Sequence, residues 1–357
     1  MSAPITGVFA SPGDPFSTGV KFAAEEINNA GGFTVGDTNY KFKINVVDDR
    51  SQQAPAIQNA TQFIRDDKVI AIFGPIGPLG PAVADLAKGA NVLNFSSASA
   101  VAAIAGPPAY PNVFLTIAAV DKRIDASVGS IQKFLPRARR VAIIAPNDET
   151  TRGIETPLKD AFHNASISAG DYLYPVGTTD LSTILTRVAN DKPDVIFSGW
   201  SATDQRTQST QFEAASIPKS TPVFFYAGTI DQCKTFTPGR PCIAHPLAGN
   251  DLTAGAENAS TKTFIANYLK YTNTKALPDR TAPILWTYDF VYLLVDAMKK
   301  AGTVTDANKL AETLRSGVSR DNALVGKLFY NSKNTPVFGF DVSFVSAEGA
   351  VTTAHFG

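Results

Sequence analysis

The stretch ITGVFASPGDPFSTGVKFAAEEINNAGG occupies residues 5–32 and predicts one strand–loop–helix unit. Its apolar run 5–10 predicts a strand, and the turn residues 11–15 predict a loop. The segment 16–29 repeats apolar residues every three or four positions, which indicates a helix, and Gly31-Gly32 follows where a helix normally ends. Because such units build parallel sheets, the stretch predicts an α/β fold.

The same alternation of short apolar runs and helical segments continues in two sets. The first set has further predicted strands at 41–47, 69–73 and 91–95, with predicted helices at 54–65 and from about residue 81. The second set has predicted strands at 139–145, 166–176, 194–199 and 222–227, with predicted helices at 152–165, 181–190 and 204–215. The crowded apolar segment 284–300 predicts one further helix, buried in a core. Two sets predict two Rossmann-like lobes, each around a parallel sheet.

Length and charge exclude several classes of protein. The chain has 357 residues, which is room for about two domains of roughly 150 residues each. Its 32 basic residues are balanced by 32 acidic ones, so we expect no nucleic acid partner. No run reaches the roughly 18 apolar residues of a membrane helix, which predicts a soluble protein.

The residue spacings that enzymes need are missing from the sequence. His163, His245 and His355 are isolated and form no H-E-x-x-H pattern. The glycine-rich segment 74–80 follows a predicted strand, but it matches neither the dinucleotide-binding nor the Walker pattern. Paired aspartates occur without a third ligand at metal spacing. We therefore expect no catalytic residue, no metal ion and no cofactor.

Two cysteines, Cys233 and Cys242, bracket a spacer rich in Thr, Pro and Gly. Such a spacer allows the two sulfur atoms to meet, which predicts a disulfide and an oxidising compartment. The alternative is a pair of free thiols in a cytosolic protein. The apolar run 5–10 is too short for a secretory signal. We expect a periplasmic or extracellular protein whose signal peptide is absent from this sequence.

Loops at the carboxyl ends of the predicted strands are the candidate ligand site, because open α/β sheets bind ligands there. Free N–H groups of the following helices favour an anion such as a carboxylate. The loops of the first half are 11–14, 74–80 and 96–99, and those of the second half are 147–152, 200–203 and 226–229. The serines of 96–99 have an alternative role as caps of a helix predicted at 100–105. Trp200 is either an exposed flat surface or a core residue.

Several motifs, taken in their order along the chain, resemble those of one protein family. They are Gly19 with AAEEIN at 23–28, Gly31-Gly32, VVDD at 46–49, IFG at 72–74, and VAII at 141–144 before Asn147-Asp148. Together they resemble the type I periplasmic solute-binding proteins, specifically the branched-chain amino-acid-binding (Leu/Ile/Val) family of ABC importers. The resemblance covers nearly the whole chain.

The resemblance implies two α/β lobes joined by three crossovers, which we place near 118–121, 246–251 and 325–330. The N-terminal lobe would then comprise 1–119 and 250–326, and the C-terminal lobe 120–249 and 327–357. It also implies a hinge that closes the two lobes around one small solute.

The resemblance further implies which residues contact the solute. In the family, the loops that match 77–79 and 97–99 hold the ligand's carboxylate, which indicates Gly77, Ser97, Ala98 and Ser99 here. The first of these loops departs from the family, because prolines remove amide donors and no hydroxyl replaces the family's serine.

The resemblance implies further contacts from the second half of the chain. Where family members have a Tyr-Gly pair, this chain has Thr150-Thr151, and Trp200 occupies the position of an aromatic residue of the family. Amino-acid binders place an acidic residue for the ligand's ammonium group where this chain has Gly228 or Thr229. Phe16 and Tyr226 are further aromatic residues that could sandwich a flat solute with Trp200.

These observations predict an extracytoplasmic receptor that binds a small carboxylate, with an aromatic acid favoured, in the cleft between two lobes. We expect a monomer that delivers its solute to the membrane permease of an ABC importer. One alternative is an amino acid or amide bound by the same fold. A second is the ligand core of a cytosolic regulator, against which the predicted disulfide argues. A third, a hydrolase or transferase, lacks a nucleophile elbow in the sequence.

Overall fold

The structure is a computed structural model that describes residues 1–7, 10–97, 105–199, 201–246, 252, 259–278 and 281–357. It divides into two compact units, the first comprising 1–119 and 256–338 and the second 120–255 and 339–357. Each unit contains both strands and helices, as the α/β prediction requires.

The described strands are β1 (Ser2–Ala3), β2 (Phe33–Val35), β3 (Thr38–Tyr40), β4 (Val47–Asp48), β5 (Ala71–Ile76), β6 (Leu93–Ser97), β7 (Val113–Leu115), β8 (Arg140–Pro146), β9 (Ser168–Tyr174), β10 (Val195–Ser198), β11 (Val223–Tyr226), β12 (Cys242–His245), β13 (Ser319–Ala323), β14 (Gly326–Tyr330), β15 (Pro336–Val337), β16 (Phe340–Val345) and β17 (Val351–Phe356).

The described α-helices are α1 (Ala10–Asn29), α2 (Gln53–Arg65), α3 (Gly80–Lys88), α4 (Val120–Phe134), α5 (Glu149–Asn164), α6 (Ser182–Asp191), α7 (Ala202–Ser209), α8 (Ile230–Phe236), α9 (Ala259–Thr272), α10 (Ala282–Leu285), α11 (Tyr288–Ala301) and α12 (Ala307–Arg315). One turn of 3₁₀ helix, Gly77–Leu79, leads into α3. The helix predicted at 284–300 is therefore two helices, α10 and α11, and its buried residues confirm the predicted core position.

The first unit is built around the parallel strands β5, β6 and β7, with β1 and β4 as a second parallel pair. Helices α2 and α3 pack their apolar faces on this sheet. Their contacts form a buried core that includes Phe63, Ile72, Leu79, Val83 and Val113. Antiparallel pairing joins β2 to β3, and joins β13, β14 and β15 in that order.

The start of the first unit differs from the sequence prediction. The first described strand is β1, and the strand predicted at 5–10 is not formed at residues 5–7, because the Asp48 carboxylate accepts hydrogen bonds from the backbone N–H groups of Ile5 (3.0 Å) and Thr6 (3.1 Å). Those groups are thereby removed from strand pairing. Residues 8 and 9 of that prediction lie outside the described residues. The predicted loop 11–15 lies inside α1, which begins at Ala10. Pro12 is tolerated there because the first helical N–H groups have no partner within a helix.

The second unit contains one sheet in the order β17-β16-β12-β11-β10-β8-β9. Strands β9, β8, β10, β11 and β12 run parallel, whereas β16 and β17 pair antiparallel at one end. The strands predicted in the second set lie within a few residues of β8 to β11. Beside this sheet a disulfide joins Cys233 of α8 to Cys242 of β12, with Cα atoms 5.6 Å apart.

The last boundary between the units lies after residue 338, whereas the sequence placed it after residue 326. Strand β14 is the hairpin partner of β13 and so belongs to the first unit. The Tyr330 hydroxyl at the end of β14 donates to the carbonyl of Leu115 (2.8 Å), which fastens the hairpin to β7. The hairpin pairing overrides the family-based placement of the third crossover at 325–330.

The turn of that hairpin is held by the fully buried carboxyl group of Asp289 on α11. Its oxygens accept hydrogen bonds from the N–H groups of Leu324 and Val325, the latter at 3.4 Å. Burial raises the pKa of Asp289 to about 7, although the charge of Arg320 and the two backbone hydrogen bonds oppose the rise. The folded state therefore favours the protonated carboxyl group.

This pKa predicts the pH dependence of stability. The folded-state pKa lies above that of the unfolded chain, so the free energy of unfolding should fall as pH rises from about 4 to about 7, by about 4 kcal/mol. Asp289→Asn keeps an acceptor oxygen without the charge and should remove this fall. Urea unfolding at several pH values measures it. Asp321→Asn, an exposed residue of the same hairpin, is the control, and equal pH profiles for the wild type and Asp289→Asn would contradict the assignment.

The disulfide should stabilise the second unit by closing a loop with a sequence separation of 9 residues. A loop of that length predicts a loss of about 2 to 3 kcal/mol when the bond is reduced. Urea unfolding with and without reductant measures the loss, and Cys233→Ala/Cys242→Ala should show no response to reductant. Two titratable thiols per oxidised chain in denaturant would contradict the pairing.

Candidate functional site

The carboxyl end of β5 in the first unit is shaped by Gly74. Its φ of +90° suits glycine, and a Cβ there would lie 2.1 Å from the Ser2 carbonyl oxygen. The side-chain amide of Asn94 on β6 donates to the Gly74 carbonyl at 2.8 Å, which supports the bend. Gly77, with φ +67°, then starts the 3₁₀ turn. The predicted loop 74–80 is therefore the end of a strand, one tight turn and the start of α3.

The carboxyl end of β6 presents a pair of hydroxyl groups. The oxygens of Ser97 and Thr116 are 2.5 Å apart, and both side chains are buried. Since one hydrogen suffices for their mutual bond, the second hydroxyl hydrogen can be donated to an acceptor outside the pair. Thr116 was missed from sequence, although its position directly after the apolar run of β7 marks a strand end. Ala98, Ser99 and residues 100–104 of the helix predicted at 100–105 lie outside the described residues.

Phe16 belongs to the core of the first unit rather than to a ligand surface. Its side chain is 0% exposed. A Cβ on Gly74 would lie 3.3 Å from its ring, so the ring packs beneath the strand end. Its carbonyl accepts a hydrogen bond from the Thr287 hydroxyl (3.1 Å). Phe16 faces inward because α1 begins earlier than predicted, at Ala10, and its contact with a solute stays a prediction.

In the second unit, the residues after β8 cap a helix. Asp148 is the N-cap of α5, and its carboxylate accepts from the backbone N–H of Thr151 at 2.8 Å. The Thr151 hydroxyl donates to the carbonyl of Pro146. The side chain of Thr150 is not among those described. Thr151, a predicted ligand contact, thus serves the strand-to-helix turn with its amide and its hydroxyl hydrogen.

Tyr226, at the end of β11, lies in an aromatic stack. Its ring is parallel to that of His245, with centroids 5.4 Å apart, and His245 stacks on Phe340 at 5.3 Å. Burial raises the pKa of the Tyr226 hydroxyl, and the nearby guanidinium of Arg123 opposes the rise and hydrogen-bonds to it. Tyr226 is thus a buried residue packed on His245, and its predicted contact with a solute stays a prediction.

Arg123 on α4 places a buried positive charge beside the carboxyl ends of β11 and β12. Burial is the main cause that lowers the pKa of His245 to about 3, and the Arg123 charge lowers it further. His245 is therefore neutral at physiological pH and is not available as a base. The sequence analysis missed Arg123, since no helix was predicted at α4 and a single arginine carries no distinguishing pattern. Its charge makes these strand ends favourable for an anion.

The turn after β11 has little freedom to accept a side chain at Gly228. A Cβ on Gly228 would lie 2.3 Å from the Cβ of Phe225, which is fixed to the backbone of the strand. Thr229 forms a capping box with Gln232: its hydroxyl accepts from the Gln232 N–H (3.2 Å), and its own N–H donates to the Gln232 side chain (3.0 Å). Neither position offers a carboxylate, and Asp231 is exposed on α8.

Trp200 lies outside the described residues, and its predicted contact with a solute stays a prediction. Over the described ranges, no group of three or more His, Cys, Asp or Glu side chains is arranged to hold a metal ion. Of the helices described, none combines the length and apolar character needed to cross a membrane.

Residues 1–349 match the family model of the periplasmic binding proteins. The chain therefore belongs to the periplasmic binding protein family, as a type I member related to the branched-chain amino-acid-binding proteins. It is accordingly an extracytoplasmic solute-binding receptor of an ABC transporter that works with a membrane permease, and not an enzyme.

Individual relatives differ in what they bind. The Leu/Ile/Val-binding protein BraC3 of Rhizobium johnstonii is 25% identical over 345 residues, which cover 92% of this chain and 86% of BraC3. The leucine-binding protein LivK of Thermotoga maritima has a TM-score of 0.78 at 20% identity, covering 100% of this chain and 97% of LivK. A solute-binding protein of R. palustris in complex with benzoate has a TM-score of 0.77 at 17% identity, covering 99% of this chain and 93% of that protein. The two structures share the fold of this chain.

The contact at Gly228 predicts a steric penalty. Gly228→Ala should lower the free energy of unfolding by about 1 to 3 kcal/mol, because the new methyl group overlaps Phe225 and the strand must shift. Gly153→Ala is the matched control: apart from its chain neighbours and the backbone of its own helix, no heavy atom lies within 4 Å of its Cβ position, and alanine should stabilise α5 by up to about 1 kcal/mol. Urea unfolding compares the two, and a neutral Gly228→Ala would show that this turn is not tightly packed.

Proposed function

We propose that this receptor binds a small carboxylate with a flat, largely apolar body, such as an aromatic acid, and requires no α-ammonium group on its solute. The observation that carries the proposal is the turn after β11, where amino-acid binders resembling this chain place an acidic residue. Gly228 has no room for a side chain, and Thr229 is held in a capping box. A buried ammonium group without a counter-charge costs several kcal/mol, enough to abolish micromolar binding.

Two further features support an anionic solute. The Ser97 and Thr116 hydroxyls at the end of β6 retain one hydrogen for an acceptor. Arg123 adds a positive charge beside the ends of β11 and β12 in the second unit. Hydrogen bonds from neutral donors to a carboxylate are stronger than those between neutral groups, so a few such donors suffice to orient it. The loop 97–99 and Trp200 complete the proposed contacts.

A branched-chain amino acid is the second candidate solute. It is favoured by the names of BraC3 and LivK and by the exposed carboxylate of Asp231, two residues beyond Thr229. For this candidate, Asp231 would have to approach the solute's ammonium group. The two candidates differ in one chemical requirement, the ammonium group, and calorimetry separates them.

Isothermal titration of dialysed protein should show binding of benzoate or cinnamate near micromolar affinity and no measurable binding of leucine or valine. The physical reason is the missing counter-charge for the ammonium group. Tight binding of leucine or valine without binding of the acids would overturn the proposal and favour the second candidate.

Ser97→Ala should weaken binding of the acid about tenfold or more, because it removes a charge-assisted hydrogen bond. The corresponding uncharged amide should lose less affinity, since its carbonyl accepts a weaker bond. Ser319→Ala, an exposed serine of β13, is the control and should bind as the wild type does. Equal losses for acid and amide would contradict a role for Ser97 at the carboxylate.

A further inference from the structure

Helix α7 carries two buried glutamines one turn apart, Gln205 and Gln208, and both side chains are 0% exposed. The helix follows β10, and its N-cap is Ser201, whose hydroxyl accepts from the N–H of Asp204 at 3.1 Å. An amide side chain has two donor hydrogens and one acceptor oxygen, so burial requires partners at both ends. The two glutamines differ in whether both the nitrogen and the oxygen of the side-chain amide have hydrogen-bond partners.

Gln208 has partners at both ends. Its nitrogen donates to the Tyr174 hydroxyl (2.9 Å) and to the Ile144 carbonyl (3.2 Å), and its oxygen accepts from the Ser198 hydroxyl (2.5 Å). These partners lie on β9, β8 and β10. Gln208 is therefore a structural residue whose hydrogen-bonding capacity is used within the second unit.

Gln205 has a partner at one end only. Its nitrogen donates to the Tyr226 carbonyl at 2.7 Å, whereas its oxygen has no hydrogen-bond partner among the described residues. Exchanging the oxygen and nitrogen does not help, because a backbone carbonyl only accepts hydrogen bonds and would then face a second acceptor. The amide orientation is thus fixed. A buried acceptor left without a donor costs about 1 to 3 kcal/mol.

This acceptor lies at the carboxyl ends of the strands, where α/β proteins bind ligands. Tyr226 is the last residue of β11, and α7 is the helix that connects β10 to β11. Among the described residues, the side chains after Tyr226 do not supply the missing donor: Ala227 has only a methyl group, Gly228 has no side chain, and the Thr229 hydroxyl is engaged in its capping box. These strand ends therefore offer a fixed, neutral acceptor.

We propose that Gln205 is a specificity-determining residue whose side-chain oxygen accepts a hydrogen bond from the solute. The solute is then a carboxylate that also carries a neutral donor, such as a ring hydroxyl or an amide N–H. This inference rests on the proposed function and deepens it. A neutral acceptor rewards a hydroxyl without compensating a full positive charge, which agrees with the absence of an ammonium requirement.

The test compares benzoate with 3-hydroxybenzoate, 4-hydroxybenzoate and 3,4-dihydroxybenzoate by isothermal titration of the full chain. At least one hydroxylated acid should bind the wild type about tenfold more tightly than benzoate, as expected for one buried hydrogen bond. Gln205→Met removes the acceptor and should reduce that preference to less than about threefold, with a smaller change in benzoate affinity. Because the preference is the ratio of the affinities for the hydroxylated acid and for benzoate, an equal loss of both affinities leaves it unchanged.

Gln208→Met is the matched control. It removes the structural hydrogen bonds of the Gln208 side chain and should lower the unfolding temperature, yet it should keep the preference for the hydroxylated acid. Gln205→Glu is a second variant, which keeps the test decisive if Gln205→Met fails to fold. In its protonated form, at about pH 5, glutamic acid can donate to the Tyr226 carbonyl and present the same acceptor oxygen, so the preference should persist.

Several results would overturn the inference. One is a wild type that binds benzoate as tightly as every hydroxylated acid, which is also expected if ordered water bonds to the Gln205 oxygen. Another is a preference that survives in Gln205→Met. If leucine binds and no acid of the series does, the proposed function itself fails and this inference fails with it. The first two results leave acid binding intact, so the two failures are distinguishable.

Discussion

The side-chain amide of Gln208 joins three neighbouring strands of the second unit at the edge from which their connecting loops emerge. Its hydrogen bonds reach Ile144 of β8, Tyr174 of β9 and Ser198 of β10. Parallel ladders end at this edge, so polar groups there need partners from outside the ladder. One buried glutamine supplies them for three strands, and the loops after these strands start from fixed positions.

A similar arrangement supports the first unit with different residues. The amide of Asn94 bonds to the carbonyl of Gly74 at the end of β5, and the Ser97 and Thr116 hydroxyls bond to each other at the ends of β6 and β7. Both units thus place buried polar side chains at the carboxyl ends of their strands. Such side chains cost free energy when unsatisfied, so they fix the local geometry more strictly than apolar packing would.

Periodicity was enough to predict the fold class and most of the second unit, where β8 to β11 follow the predicted strands closely. It failed at the first strand, because the Asp48 side chain captures the N–H groups of Ile5 and Thr6. Side-chain capture over 42 or more residues of separation has no local signal in the sequence. The same limit explains why β14, a hairpin strand, was assigned to the other lobe.

The candidate site was harder to predict than the fold. Phe16 and Tyr226 have the right residue type beside predicted loops at the strand ends, but their rings lie in the cores of the two units. Conversely, Gln205 and Arg123 lie on helices and show no motif. Whether a side chain faces the core or the strand end depends on contacts between distant elements, which a single sequence does not specify.

Gly228 restricts how this receptor can change its solute during evolution. An acidic residue at that position would overlap Phe225, so a single substitution at Gly228 cannot add a carboxylate while the chain keeps its present path. Such a substitution requires a different path of the chain between β11 and α8, which Phe225 and the capping box of Thr229 both oppose. A lineage carrying this glycine can therefore gain an acidic side chain at position 228 only together with a change in the backbone of the turn.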